Sequence, residues 1–103
     1  MQRLAFKMFL FPGKKQEYKR RHDEIWPELA NLLTASGISN YSIHLDDGSN
    51  ALFGYLERID GHKMDDLPDH PVMKRWWAYM KDIMEYDGDR PRVVPMSEVF
   101  YLP

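Results

Sequence analysis

The chain has 103 residues and a formal net charge of −2, which suits one folded domain spanning residues 1–103. This charge argues against a nucleic-acid partner, and the absence of cysteine excludes disulfides, thiolate catalysis and cysteine-ligated metals. Because no apolar run approaches the roughly 18 residues of a membrane helix, we expect a soluble, cytoplasmic protein with no membrane partner.

The first predicted element is a β-strand over Arg3–Phe11. Leu4, Phe6, Met8 and Leu10 face one way, and the residues that alternate with them are also partly apolar. We therefore expect both faces of this strand to be covered.

A long helical pattern follows the strand, over Lys14–Ser36, and Gly37 is a good terminator for it. Pro27 interrupts the pattern because it has no backbone N–H and disfavours helical geometry at Trp26. The sequence thus predicts that the helix kinks or restarts at Trp26–Pro27.

Two further strands are predicted at Asn40–Asp46 and Ala51–Ile59. The turn-forming residues between them, Asp46 to Asn50, indicate a β-hairpin. Its polar face is expected to meet solvent.

The second half of the chain predicts one helix and one strand. The helix runs over about Val72–Met84, with Asp69 as a candidate cap and Pro71 in its first turn. Asp87–Pro95 is predicted to be a loop, and Ser97–Leu102 a final strand.

The resulting element order is βαββαβ, which is the order of the ferredoxin-like, split βαβ arrangement. We expect an α+β fold with an antiparallel sheet and both helices on one face. The economical cover for the other face is a second copy of the sheet, so the sequence predicts a homodimer.

The most unusual pattern lies in the first helix, where Tyr18, His22 and Trp26 are four residues apart and predicted to share one helix face. Each of these side chains offers a flat surface and a polar group, which is typical of a pocket wall. His22 is the candidate acid/base group because its reference pKa is near 6.5. The alternative is a histidine at the edge of the core with its hydrogen bonds satisfied.

A second candidate group comprises Trp76, Trp77 and Tyr41. Adjacent helix residues point about 100° apart, so one indole can pack in the core while the other lines a cavity. Aromatic platforms of this kind suit sugars. Equally, the pair can be a core residue beside an interface residue, and Tyr41 can belong to the core with Ile43 and Leu45.

A metal site is not expected, since His44, His62 and His70 lack the spacing of a recognised ligand set. The basic runs Lys14–Lys15 and Lys19–Arg21 are offset by nearby acids, so we interpret them as a solvated helix face.

Four long strings distributed over the chain resemble the L-rhamnose mutarotase family. These strings are EYKRRHDEIWPEL at Glu17–Leu29, NYSIHLD at Asn40–Asp46, RWWAYMKDIM at Arg75–Met84 and EVFYLP at Glu98–Pro103. The resemblance covers essentially the whole chain and implies one L-rhamnose mutarotase domain over residues 1–103.

The resemblance also implies a function and a set of site residues. It implies a dimeric ferredoxin-like α/β barrel that interconverts the α and β anomers of L-rhamnose without a metal or other cofactor. His22 would be the proton donor, and Tyr18, Tyr41, Trp76 and Trp77 would contact the substrate, which is L-rhamnose or a related 6-deoxy sugar.

Two other function classes stay open at this point. Dimeric ferredoxin-like barrels also include monooxygenases and haem-degrading enzymes, and the fold alone does not separate them from a mutarotase. A non-catalytic sugar-binding or dimerisation module could use the same aromatic residues. For the carboxy-terminal Phe100–Pro103, closing the pocket and packing at a dimer interface are both open.

Overall fold

The fold is built around a four-stranded antiparallel sheet, which a computed structural model describes together with the rest of residues 1–103. The elements in chain order are β1 (Gln2–Phe9), α1 (Lys15–Asp23), α2 (Pro27–Ala35), β2 (Ile38–Asp46), β3 (Ala51–Arg58), a 3₁₀ helix (Met64–Asp69), α3 (Pro71–Met80), β4 (Tyr86–Asp87), β5 (Arg90–Pro91) and β6 (Val94–Met96). None of the helices has the length and apolar character needed to cross a membrane.

The sheet has the strand order β2-β3-β1-β6, and every neighbouring pair is antiparallel. The core joins residues of one sheet face, such as Phe6 and Leu52, to residues of the helices, such as Leu29 and Met80. The predicted α+β class and its ferredoxin-like topology are therefore confirmed.

The register between β1 and β3 brings Phe6 opposite Gly54. A β-carbon at Gly54 would collide with the Phe6 ring, so glycine is the residue that lets this ring lie flat across the sheet. Phe6 in turn contacts Tyr41 of β2 edge-on, with ring centroids 6.2 Å apart.

The predicted interruption at Pro27 is confirmed, because α1 ends at Asp23 and α2 begins at Pro27. Trp26 between them is extended, with φ −60° and ψ 130°. Trp26 thus lies outside α1, and the expectation that it shares one continuous helix face with Tyr18 and His22 is wrong.

The strand predicted at Ser97–Leu102 is also misplaced. The fourth strand of the sheet is Val94–Met96, paired with β1, and the seven residues after it form no strand. Pro95 lies within this strand, where an edge position tolerates its missing N–H. The Gly/Pro-rich composition of the preceding segment concealed both this strand and the short β4–β5 ribbon.

The helix predicted at Val72–Met84 is shorter than expected. It ends at Met80, and Met84 instead forms an isolated bridge with Leu10. Asp69 is not its cap, because Asp69 ends the 3₁₀ helix and His70 occupies the capping position without a side-chain hydrogen bond.

Candidate functional site

A cavity of about 1180 Å³ lies between the helices and the inner face of the sheet. It exceeds the roughly 300–1,000 Å³ that is usual for small-molecule pockets, so a small ligand would contact part of its wall rather than fill it. All five residues predicted for the site line it, namely Tyr18, His22, Tyr41, Trp76 and Trp77. The structure therefore brings them together, while their roles stay predictions.

His22 occupies the last turn of α1, between two aromatic side chains. Its ring stacks on Tyr18 with centroids 4.2 Å apart and an interplanar angle of 27°, and it meets Trp76 edge-on at 5.4 Å. Its Nδ1 lies 3.0 Å from the backbone carbonyl oxygen of Tyr18. Three contacts thus fix the orientation of the imidazole.

The contact with the Tyr18 carbonyl also determines the tautomer of His22. A carbonyl oxygen can only accept a hydrogen bond, so Nδ1 carries the hydrogen and donates it. Nε2 has no hydrogen-bond partner within the protein and, in the neutral ring, holds the free lone pair. The imidazole therefore offers one nitrogen to a ligand.

Burial lowers the pKa of His22 below its usual 6.5, because the low-dielectric surroundings disfavour the charged ring. The Tyr18 carbonyl and the charge of Asp23 oppose this effect and do not cancel it. His22 is accordingly neutral at pH 7 and able to accept a proton.

Tyr18 and Tyr41 line the cavity from different elements, α1 and β2. Neither hydroxyl has a hydrogen-bond partner in the protein, and both residues line the cavity. Burial raises the pKa of Tyr18 far above its usual range and raises that of Tyr41 to about 12, although Tyr41 is 40% exposed. Tyr41 lines the cavity, so protein atoms surround its side chain while part of its surface stays open to that cavity. Both phenols therefore stay protonated and can donate a hydrogen bond to a ligand.

A bulge in β2 lies at Tyr41. The pairing with β3 shifts register between Ser39 and Ser42, and Asn40 takes the left-handed conformation with φ 48°. Asparagine tolerates this conformation better than most residues do. Tyr41 alternates with Ile43 and Leu45 of the same strand and lies on the inner face of the sheet, against Phe6.

Trp76 and Trp77 both line the cavity, but they are held differently. Trp76 is buried and belongs to the core, so it serves as packing and as wall together. Trp77 is partly buried, its carbonyl accepts a hydrogen bond from the Tyr86 hydroxyl, and Arg90 lies 5.6 Å from its ring. The expected division between a packing indole and a cavity indole is only partly correct.

Other parts of the cavity wall were not predicted. Its mouth carries charged residues from two separate parts of the chain, which are Lys15, Lys19, Asp23, Asp87 and Arg90. The residues from the end of the chain lie in a segment rich in glycine and proline, where no periodic pattern signals a pocket. Trp26, which was predicted for the pocket wall, does not line the cavity and instead contacts Trp76 at 5.1 Å. Tyr79, which contacts Trp76 at 5.6 Å, was missed.

Five methionines and a larger number of leucines form much of the apolar wall of the cavity. Met8, Met73, Met80 and Met84 are buried there, beside leucines of the sheet. Flexible thioether side chains adapt to irregular ligand surfaces. The cavity thus combines an apolar wall with an aromatic and polar one.

The remaining histidines lie away from this arrangement. His62 uses Nδ1 to accept the Met64 amide at 3.2 Å, and His44 is exposed on β2. No three His, Asp or Glu side chains are grouped so as to hold a metal ion.

The basic run at Lys19–Arg21 does not form one solvated face. Lys19 and Arg20 are exposed, whereas Arg21 is only 8% exposed. The charge pattern of the sequence concealed this, because neighbouring residues of a helix point in different directions.

Chemically, the site places one proton-accepting nitrogen beside unpartnered hydroxyl donors and flat aromatic faces. This suits proton transfer on a small molecule that has both hydroxyl groups and apolar faces, such as a monosaccharide.

Comparison with known proteins points to one family. The family model for L-rhamnose mutarotase matches residues 3–102. The L-rhamnose mutarotase of Jannaschia sp. (strain CCS1) is 58% identical over the full length of both chains, and that of Rhizobium meliloti (strain 1021) is 56% identical over 99% of each. A crystal structure of L-rhamnose mutarotase from Formosa agariphila superimposes with a TM-score of 0.94 at 44% identity, covering both chains completely.

Proposed function

The chain belongs to the L-rhamnose mutarotase family, and on that premise we propose that it interconverts the α and β anomers of L-rhamnose. The proposal includes a homodimeric assembly, a cytoplasmic location, and L-rhamnose or a related 6-deoxy sugar as substrate. The observation that carries it is the fixed imidazole of His22, which presents one unpartnered nitrogen at the wall of the aromatic cavity.

The reaction starts with the proton of the C1 hydroxyl. Neutral His22 takes this proton on Nε2, and the bond between C1 and the ring oxygen breaks, with its electron pair going to the oxygen. The imidazolium then donates the proton to that oxygen, which yields the open-chain aldehyde. His22 is therefore first a base and then the proton donor, and it returns to its starting state.

Ring closure repeats these steps in reverse. Rotation about the C1–C2 bond presents the other face of the aldehyde, and His22 takes the proton of the attacking hydroxyl and returns it to the new C1 oxygen. A well-placed acid/base group contributes about 10²- to 10⁴-fold, a useful gain for a reaction that also proceeds unaided in water.

The four aromatic residues would hold the sugar during this rotation. The hydroxyls of Tyr18 and Tyr41 lack protein partners and can donate to sugar oxygens. The rings of Trp76 and Trp77 offer apolar surface to the C–H groups of the pyranose. Keeping the open chain oriented between the two closures is the contribution of binding.

The test is saturation transfer between the anomeric NMR signals of L-rhamnose. Wild-type protein should exchange the α and β signals faster than buffer does, and His22→Asn should lose most of that acceleration. His44→Asn is the matched control, since His44 is exposed on β2. Wild-type exchange in His22→Asn would overturn the role of His22, and no acceleration by the wild type would overturn the activity.

The monooxygenase or haem-degrading alternative is not favoured. The relatives reported above are L-rhamnose mutarotases along their full lengths. No feature of the cavity favours the alternative over the mutarotase.

Exposed apolar residues at the carboxy terminus support the homodimer. Val99 is 95% exposed, and Phe100 and Leu102 are each 78% exposed. Arg3 holds this tail against the sheet, because it pairs with Glu98 at 2.9 Å and lies 3.4 Å from the Tyr101 ring centroid. An apolar segment held in place at the surface fits an interface with a second copy.

A further inference from the structure

Arg21 is the one charged residue among the buried residues of the core. Its neighbour in α1 is His22, yet the proton path proposed above makes no use of it. A buried guanidinium is costly unless every part of it is paired, so its partners indicate its role.

The hydrogen-bond partners of Arg21 lie in α1 and near the carboxy-terminal end of α3. Nε donates to Glu17 one turn earlier in α1, at 2.8 Å. Nη1 donates to Asp82 and to the backbone carbonyl of Tyr79, each at 2.8 Å, and Nη2 donates to Asp82 at 3.2 Å. Through this two-pronged contact, α1 is attached to the carboxy-terminal end of α3.

The same end of α3 also supports the ring of Trp76. The Arg21 guanidinium lies 4.5 Å from the Tyr79 ring centroid, and Tyr79 stacks on Trp26 at 5.6 Å. Trp26 meets Trp76 edge-on at 5.1 Å, and Trp76 meets His22 edge-on at 5.4 Å. The contacts form a closed circuit that begins and ends at neighbouring residues of α1.

Two adjacent residues of α1 thus contact two points one turn apart on α3. His22 contacts Trp76, while Arg21 contacts Tyr79 and, just beyond it, Asp82. With a single point of contact α1 could rotate about it, whereas two points fix both the rotation and the distance of the imidazole.

We infer that Arg21 is a positioning residue, whose attachment to Asp82 and Tyr79 holds the His22 imidazole in the orientation that proton transfer requires. It acts through His22 and does not contact the sugar, since it is absent from the cavity wall. The inference rests on the proposed function of His22.

A buried charged side chain is weak evidence for a purely structural role, because apolar side chains of similar volume often serve a fold equally well. Asp82 is 67% exposed, so removing Arg21 leaves no fully buried charge without its partner. Arg21→Met keeps most of the side-chain volume and removes the directional bonds, which makes it the informative variant.

The control is Arg20, the preceding residue of α1. Arg20 also pairs with Glu17, at 2.7 Å, and lies near the Tyr79 side chain, but it is exposed and has no ion pair with α3 or Asp82. Arg20→Met therefore removes a comparable charge from the same helix without releasing the attachment to Asp82.

The experiment measures anomer exchange and the NMR shifts of the His22 ring protons in Arg21→Met, Arg21→Lys, Asp82→Asn and Arg20→Met. Ring currents from Tyr18 and Trp76 make those shifts sensitive to imidazole orientation. In Arg21→Met, we expect kcat to fall about 10- to 100-fold with KM little changed, and the His22 shifts to move. Asp82→Asn should change both readouts in the same direction, Arg21→Lys should be intermediate, and Arg20→Met should match the wild type.

Unchanged His22 shifts together with wild-type kcat in Arg21→Met would overturn the inference. A raised KM together with a lowered kcat, with the His22 ring-proton shifts unchanged, would overturn it as well. If Arg21→Met does not fold, Arg21→Lys and Asp82→Asn decide by the same two readouts. If the wild type shows no anomer exchange, the proposed activity fails, while the ring-proton shifts still show whether Arg21 orients His22.

Discussion

Tyr18 fixes His22 in two independent ways, through its backbone carbonyl at 3.0 Å and through its ring at a centroid distance of 4.2 Å. The carbonyl selects the tautomer and the ring restricts rotation. A residue first expected to bind substrate thus also prepares the group that would transfer the proton.

The first prediction concerns pH. Burial lowers the pKa of folded His22 below 6.5, so the free lone pair on Nε2 is lost only as the pH falls through this lower value. Enzymatic acceleration should therefore be constant above about pH 6.5 and decline in more acidic solution. Saturation transfer from about pH 5 to about pH 8, with the buffer rate subtracted, measures this. A decline as the pH rises would contradict a neutral starting imidazole.

The lowered pKa of His22 also makes the free energy of unfolding depend on pH. The unfolded chain binds more protons than the folded one between the folded pKa of His22 and the unfolded value near 6.5. The free energy of unfolding contributed by His22 should thus be present above about pH 6.5 and be lost as the pH falls through that window. Urea denaturation of the wild type and of His22→Asn over this window tests the expectation. An equal pH slope in both proteins would count against it.

Tyr18→Phe and Tyr41→Phe should separate binding from stability. Neither hydroxyl bonds to the protein, so unfolding free energies should change little. Each lost bond to the sugar should cost about 0.5–1.5 kcal/mol, which raises KM roughly 2- to 13-fold. Tyr55→Phe is the control, because its hydroxyl donates to Glu57 at 2.9 Å and does not line the cavity. Wild-type KM in both cavity variants would refute the assigned contacts.

Replacing Trp76 and Trp77 by alanine should affect stability and substrate binding differently. Trp76 is 6% exposed and part of the core, so Trp76→Ala should lower the free energy of unfolding by about 3–5 kcal/mol. Trp77 is less buried, and Trp77→Ala should mainly raise KM. Urea denaturation and exchange kinetics on both variants test the contrast. If both variants lose the same free energy of unfolding, the assigned difference between a core Trp76 and a less buried Trp77 is wrong.

Gly54→Ala should destabilise the fold by about 1–3 kcal/mol, because the added methyl group would collide with the Phe6 ring. Gly61→Ala is the control, since nothing lies within 4 Å of the added carbon there. Phe6→Leu in the Gly54→Ala background should recover part of the loss. A neutral Gly54→Ala would mean that the Phe6 ring moves freely.

Much of the fold could be predicted from local patterns. The alternation in β1, the turn residues before β3 and the effect of Pro27 are short-range signals, and each specified its element correctly. The last strand failed, because Pro95 and its neighbours form a strand only through pairing with β1, which is a contact across the whole chain.

The candidate site divides in the same way. Tyr18 and His22 could be found because i, i+4 spacing on one helix implies contact. Arg21 could not, since its burial depends on Asp82, which is 61 residues away. The mouth residues Asp87 and Arg90 were missed for the same reason, as they reach the cavity only through the packing of the β4–β5 ribbon.

The methionine wall of the cavity makes sugar entry directly observable. Met8, Met64, Met73, Met80 and Met84 border the cavity, whereas Met1 and Met96 are exposed elsewhere, at 67% and 40%. With carbon-13 in the methionine methyl groups, the first five would be reporters and the last two internal references. Occupancy could then be followed in variants that no longer turn over, since a methyl resonance responds to a bound ring whether or not that ring opens.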